Sequence, residues 1–228
     1  MPKIRDFHTH TTLSDGVLTP VELIRRAAVK GYAAVGIADH SGPGMMERII
    51  AEVAKDCELC SRHWDIVALP GIELTHVPAA SIAELAAEAK RLGAAFVVVH
   101  GESPVEPVEP GTNLAAASCP DVDLLAHPGP IDEQVAQAAA ENGVFLEITA
   151  KEGHCLGNGA VARAALACGA KLLLSSDTHV PDQLLTPDFA LTVLAGAGLD
   201  ENQALQVMEA NAEEFLQRCL KRVAWGKR

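Results

Sequence analysis

Aromatic side chains are scarce in this sequence: five phenylalanines, two tryptophans and one tyrosine make up 4% of its 228 residues. With Ala, Leu and Val abundant instead, the composition suits a helix-rich α/β protein better than an all-β one. Basic residues are also few. Eighteen Lys and Arg stand against thirty Asp and Glu, a formal net charge of −12, and no polybasic arm is present, so no nucleic-acid partner is expected. No apolar run approaches the length of a membrane span, and no membrane partner is expected. The opening Met-Pro-Lys-Ile-Arg-Asp runs into the first apolar segment without a signal-peptide core. The six cysteines (57, 60, 119, 155, 168 and 219) lack the spacing of a small disulfide scaffold. The chain therefore reads as soluble, cytoplasmic and reduced. Its length gives one sizeable core and is short for two domains, so residues 1–228 are expected to form a single domain.

What is present is a regular alternation of short apolar runs with helical segments. Ile4–Phe7, Ala33–Asp39, Asp65–Pro70, Ala94–Val99, Val122–Ala126, Val144–Thr149 and Lys171–Ser176 read as seven strands. Helices are expected between them: from Thr19-Pro20 to about Lys30, before about His63, from the capping box Ser81-x-x-Glu84 to Leu92, over about 132–141, and over about 159–168. A C-terminal helical segment covers 200–222. Strands that alternate with helices argue a parallel α/β arrangement.

The polar residues choose between an open sheet and a barrel. His8, His40, Glu73, His100, His127 and Asp177 each stand at the C-terminal end of a predicted strand. In an open sheet the outer strand ends lie too far apart to share a site, whereas a barrel brings every C-terminal end to one mouth. In His8-x-His10 the two rings project to the same side of an extended backbone, toward one point. Asp15 adds an oxygen from the next loop, and His179 follows Asp177. Buried polar groups at so many equivalent positions are costly unless compensated. Nine such ligands exceed what one zinc ion takes, so two or three divalent metals are implied, with Glu73 suited to bridge.

As a set, His8-x-His10, Asp15-Gly16, Asp39-His40, Gly71-Ile72-Glu73, His100-Gly101, His127-Pro128 and Asp177-x-His179 resemble the motif series of the PHP (polymerase and histidinol phosphatase) family, over residues 6 to about 180. The resemblance implies a distorted (β/α)7 barrel holding three metals at the C-terminal mouth of its strands. Carried over, His8, His10, Glu73 and Asp177 bind the first metal; Asp15, His40 and His179 the second; Glu73, His100 and His127 the third. Some members have His where this chain has Asp15, which leaves zinc, manganese and iron open. Three divalent ions outweigh three carboxylates and attract a phosphate dianion, so the expected function is metal-dependent hydrolysis of a small phosphomonoester, histidinol phosphate being one candidate. The alternatives are a PHP-type phosphodiesterase or nuclease and a non-catalytic metal-binding module.

Other features carry weaker expectations. Lys151, His154 and Asn158 lie in the loop after the sixth strand, which reads either as an ordinary solvated loop or as one in which Lys151 and His154 bind substrate phosphate. Residues 101–113, rich in Pro and Glu, read as a solvated acidic loop or as a specificity loop in which Glu102, Glu106 and Glu109 meet a cationic substrate. Glu147 is either a partner for a ligand histidine or simply a polar residue of the barrel interior. Cys57-x-x-Cys60 falls inside a predicted helix and reads as incidental. His76 lies near the mouth without an assigned role.

Overall fold

Apolar runs without polar breaks need cover on both faces, and the computed structural model, which describes residues 2–227, buries them in that way. The strands are β1 (Arg5–Asp6), β2 (Ala34–Ile37), β3 (His40–Ser41), β4 (Val67–Leu74), β5 (Phe96–His100), β6 (Leu124–Ala126), β7 (Phe145–Thr149) and β8 (Leu172–Ser175). Every pairing is parallel, in the order β1-β2-β4-β5-β6-β7-β8, with β3 also on β4. β2 and β3 pair with successive parts of the same neighbour, Ala34–Ile37 against Val67–Pro70 and His40–Ser41 against Glu73–Leu74. They are one interrupted stave, and the sheet has seven. The seam between β1 and β8 is bridged just beyond the strands. Thr9 and Thr178 form an isolated parallel bridge, the His10 N–H donates to the Thr178 carbonyl at 2.8 Å, and Asp6 Oδ1 accepts the Ser176 N–H at 3.1 Å. This is the expected seven-stranded α/β barrel, nearly closed.

The helices are α1 (Pro20–Val29), α2 (Met46–His63), α3 (Ile82–Arg91), α4 (Thr112–Ala117), α5 (Glu133–Asn142), α6 (Asn158–Cys168), α7 (Pro187–Gly196), α8 (Glu201–Leu205) and α9 (Ala212–Leu220), with a π-helical stretch Gln206–Asn211 joining the last two. No helix among the described residues is long and apolar enough to cross a membrane. Several local expectations need correction. The third predicted strand does not stop at Pro70: β4 runs on to Leu74, so Glu73 lies within it. Neither Thr19 nor Ser81 caps its helix through its side chain. Glu22 pairs instead with Arg26 at 2.8 Å, and the Ser81 hydroxyl donates to the Pro78 carbonyl at 2.7 Å, because a 3-10 turn leads into α3. Helices α4 and α7 were not expected.

The barrel interior is filled at one end and chemical at the other. Phe7, Phe96, Phe145 and Phe215 meet inside it, with ring centroids 4.7 Å apart for Phe7 and Phe215 and 5.3 Å for Phe145 and Phe215. Gly36 and Gly71 make the room: a Cβ on either would lie 2.6 or 2.2 Å from the Phe96 ring. Phe215 comes from α9, which lies across the starts of the strands. Arg218 donates to the Gly143 carbonyl at 2.7 Å, Arg222 to that of Ala95 at 3.0 Å, and the Asn211 amide to that of Leu172 at 2.9 Å. The C-terminal ends of the strands form the opposite mouth. Cys57 and Cys60 are buried on α2, and all six cysteines are free thiols.

Candidate metal centre

The residues predicted at the strand ends converge. His8 and His10 follow β1 and are fully buried, as is Glu73 on β4. His8 Nε2 lies 3.3 Å from Glu73 Oε1 and 4.0 Å from Asp177 Oδ1, and His10 Nε2 lies 3.1 Å from Asp177 Oδ1 and 3.9 Å from Glu73 Oε2. His127 Nε2 is 3.8 Å from Glu73 Oε1 and 3.7 Å from Asp177 Oδ2. Toward the rim, Asp15 Oδ1 lies 3.5 Å from His40 Nε2 and 3.2 Å from His179 Nε2. His40 Nδ1 reaches back to Glu73 Oε2, so that carboxylate joins the inner and outer groups. His100 closes β5, and its donor atoms group with those of His127 and His154.

Three of the rings are held in one sense. Nδ1 faces an oxygen in His8 (Glu147 Oε1, 2.8 Å), His40 (Thr75 Oγ1, 2.7 Å) and His100 (the Gly101 carbonyl, 3.1 Å). A proton on Nδ1 satisfies each of these oxygens and leaves the Nε2 lone pair for the centre, the arrangement by which outer partners orient metal-binding imidazoles. Glu147 was expected in this role. Thr75, which donates to Glu73 Oε2 at 3.1 Å, was not. Asp39 serves the loop that carries Asp15: it accepts from the Thr11 N–H and hydroxyl and from the Ser14 hydroxyl at 2.6, 2.7 and 2.6 Å.

Several donors at the heart of the cluster have no partner in the protein. His8 Nε2, both ring nitrogens of His10, Glu73 Oε1 and Asp177 Oδ1 are buried and unbonded. Buried polar atoms are rarely left so, and the donors of His8, His10 and Asp177, within 4.8 Å of one another and with Glu73 Oε1 3.3 Å from His8 Nε2, suit a divalent cation. Electrostatics agrees. Burial pushes the Glu73 carboxyl up, but the His40 and His8 imidazoles outweigh it and hold Glu73 well below the usual carboxylate range. Asp177 is likewise held down, by His8 and His10 against burial. Burial lowers His10 to about 4 and His127 well below its ordinary value. His8 goes the other way: burial lowers it, but Glu147, Glu73 and Asp177 outweigh burial and raise it well above its ordinary value. Ionised carboxylates beside neutral imidazoles are the forms that bind metal, so a cation at His8 must displace a proton. His127 and Asp177 also hold positive φ, +27° and +52°, a strain that clusters at functional sites.

The loops sort themselves by contact. Lys151 Nζ, half-buried at the mouth, lies 3.0 Å from the Asp177 carbonyl oxygen, 2.6 Å from His179 Nδ1 and 3.8 Å from Asp177 Oδ1. Asn158 is structural, bonding the Thr149 N–H and carbonyl at 3.2 and 2.8 Å. Residues 101–113 are not one solvated acidic surface: Glu106 turns toward His76, His100 and His154. Sequence reasoning had no means of separating it from Glu102 and Glu109, because its partners come from three other segments.

No family model matches the chain. It is 45% identical over 214 residues to an uncharacterised protein of Methanocaldococcus jannaschii, covering 93% of this chain and 98% of that one. It is 31% identical over 228 residues to a probable phosphatase of Shewanella sp. (strain MR-4), covering 88% and 86% of the two. In fold it is similar to a chain of archaeal ribonuclease P solved with mature tRNA (TM-score 0.69, 15% identity, 93% and 90% covered). It is also similar to histidinol phosphate phosphatase from Lactococcus lactis complexed with zinc, L-histidinol and phosphate (TM-score 0.61, 16% identity, 87% and 95% covered). At these identities the solved structures speak to the fold alone.

Proposed function

This chain belongs to the same family as the probable phosphatase of Shewanella, and from that premise we propose that it is a metal-dependent phosphomonoester hydrolase of the PHP type, acting on a small phosphorylated metabolite. The observation that carries the reading is the set of buried, unpartnered donors of His8, His10, Glu73 and Asp177 at the mouth of the barrel. Two or three divalent ions of zinc, manganese or iron would be held there: by His8, His10, Glu73 and Asp177; by Asp15, His40 and His179; and at His100 and His127, with Glu73 shared. Such ions supply the Lewis acidity that makes water a nucleophile near neutral pH and offset negative charge on phosphoryl oxygens.

The protein's own groups do the rest. Glu147, Thr75 and the carbonyl of Gly101 keep protons on Nδ1 of His8, His40 and His100, so each of those Nε2 atoms stays available. Lys151 stands at the rim and binds a phosphate oxygen whatever alcohol is attached. Asp15, with its side chain 58% exposed, lies where substrate enters. Histidinol phosphate is the first substrate to try, given the ligands of the Lactococcus lactis protein.

The test is release of inorganic phosphate from a panel of phosphomonoesters, histidinol phosphate included, by protein loaded with Mn2+, Zn2+ or Fe2+. A phosphodiester is added to the panel for the nuclease alternative. Metal-dependent release from a monoester is expected. Hydrolysis of the diester alone would move the assignment to a phosphodiesterase, and a metal-loaded protein inert on every ester would favour a binding module.

A further inference from the structure

Three carboxylates ride on the loop after β5, and two of them hold the loop together. Glu102 Oε1 accepts the N–H groups of Gly111 and Asn113 at 3.0 and 2.9 Å. Glu109 Oε2 accepts the N–H of Ala79 at 3.0 Å, tying the loop to the segment before α3. Glu106 is left, and imidazoles surround it. Its Oε2 lies 2.9 Å from His76 Nε2 and 3.1 Å from His100 Nε2, and its Oε1 lies 3.4 Å from His154 Nε2.

His154 is set in place as firmly as a strand residue. It opens a 3-10 helix, His154–Gly157, that leads into α6. Gly157 at its end packs so closely on the Gly129 backbone that a Cβ there would lie 2.6 Å from it, and Asn158 then anchors the chain to Thr149. His154 is 7% exposed, and its Nδ1 has no partner. Its ring centroid lies 4.4 Å from that of His127.

Two donor groups overlap at this point: His100, His127 and His154, and His76, His100 and Glu106, each with donor atoms within 4.8 Å of one another. His100 Nδ1 is committed to the Gly101 carbonyl, so a single nitrogen, Nε2, belongs to both groups. An ion bound at that nitrogen therefore lies at the meeting point of the two groups. Zinc bonds of about 2.0–2.1 Å in a tetrahedral site separate the donors by roughly 3.3–3.4 Å. The spacings of the Glu106 oxygens from the Nε2 atoms of His100 and His154, 3.1 and 3.4 Å, are of that size.

We propose that Glu106 and His154 are ligands of the divalent ion held at His100 and His127, a loop-borne pair added to the ligands on the strand ends. His76 then holds the Glu106 carboxylate in position, and filling the site fixes residues 101–113 against the mouth. The proposal rests on the metal-binding part of the proposed function and not on hydrolysis.

The test is ion stoichiometry and affinity of the full chain reconstituted with Zn2+, and separately with Co2+, in a chelator-buffered series. Wild type is compared with Glu106→Gln, His154→Gln and Glu109→Gln. Glu106→Gln and His154→Gln should each weaken one ion by about tenfold or more and change its Co2+ ligand-field absorption, leaving the other ions in place. Glu109→Gln, which loosens the loop without touching the centre, should bind every ion as wild type does. Wild-type affinity for all ions in both test variants would overturn the proposal, as would an equal loss in Glu109→Gln. A wild-type protein that binds no ion would overturn the metal centre itself, and this proposal with it.

Discussion

Glu147 ties two histidines of the centre together: its Oε1 lies 2.8 Å from His8 Nδ1, while its Oε2 accepts the backbone N–H of His127 at 2.7 Å. A carboxylate can accept both protons, whereas an amide has one acceptor oxygen and an NH2 that faces a donor. Glu147→Gln therefore breaks one of the two contacts. It should lower metal affinity by about 10–100-fold without removing a ligand. Chelator competition on the variant measures this, and unchanged affinity would reduce Glu147 to a packing residue.

Metal should also set stability. Glu73 and Asp177 are buried and ionised, so ions that bind only the folded chain stabilise it by mass action, about 2.7 kcal/mol at a free metal concentration one hundred times Kd. A chelator should lower Tm accordingly. Acid should act in the same direction. Burial lowers the His40 imidazole, but Glu73 and then Asp15 outweigh it and push it up to about 8. Below that pH a metal at His40 must displace a proton, so affinity should rise with pH through about 8, and His8, raised well above its ordinary value, adds to the rise. Affinity independent of pH between 6 and 8 would exclude His40 as a ligand.

Glu73→Gln should harm the centre more than His179→Ala. Glu73 oxygens approach His8, His10, His40 and His127, while His179 faces Asp15 and Asp177 at the rim. Elemental analysis should find more than one ion lost from Glu73→Gln and one from His179→Ala. Full occupancy in Glu73→Gln would show that Glu73 does not bridge.

The six strand-end residues, and His10, Asp15 and His179 beside them, stood out in the sequence because a polar side chain at the end of an apolar run has few structural reasons to be there, and the parallel fold makes those ends one place. Single-residue chemistry at helix ends stood out less. Thr19 and Ser81 have the right identities for caps, yet their side chains do not cap, whereas Thr186, before Pro187, accepts the Phe189 N–H at 3.3 Å and opens a helix the pattern had not suggested. Its Thr-Pro signal was present but lay outside the strand-helix alternation. Helix α4 was hidden because its six residues follow a Pro- and Glu-rich loop directly. Glu106 was indistinct for a different reason: it meets His76 and His154, and no local pattern reports a contact among three loops.

Lys151→Ala should weaken every phosphomonoester to a similar degree. Its ammonium lies at the rim beside Asp177 and His179, and a contact to phosphate ignores the leaving group. The loss in kcat/KM should be about 1.5–3 kcal/mol, the scale of a charged hydrogen bond. Glu102→Gln, by contrast, disturbs a carboxylate already bonded to Gly111 and Asn113, so it should act through loop order. Comparing kcat/KM on histidinol phosphate and a neutral phosphomonoester decides the matter: a substrate-selective loss in Lys151→Ala would mean that it touches the leaving group.

The opposite end of the barrel offers a control on all of these. Phe215 of α9 is fully buried, with its ring centroid 4.7, 5.7 and 5.3 Å from those of Phe7, Phe96 and Phe145. Phe215→Ala removes the centre of that cluster, and the barrel staves limit how far it can collapse, so the cost should be about 3–5 kcal/mol. Urea unfolding of the chelated protein measures it free of metal linkage. The mouth is formed by side chains at and beyond the far ends of the strands, so the folded fraction of Phe215→Ala should bind metal with wild-type affinity. A cost below about 1 kcal/mol would mean that α9 merely lies over the barrel. Weakened metal binding in the folded variant would mean that the floor and the mouth are coupled through the strands.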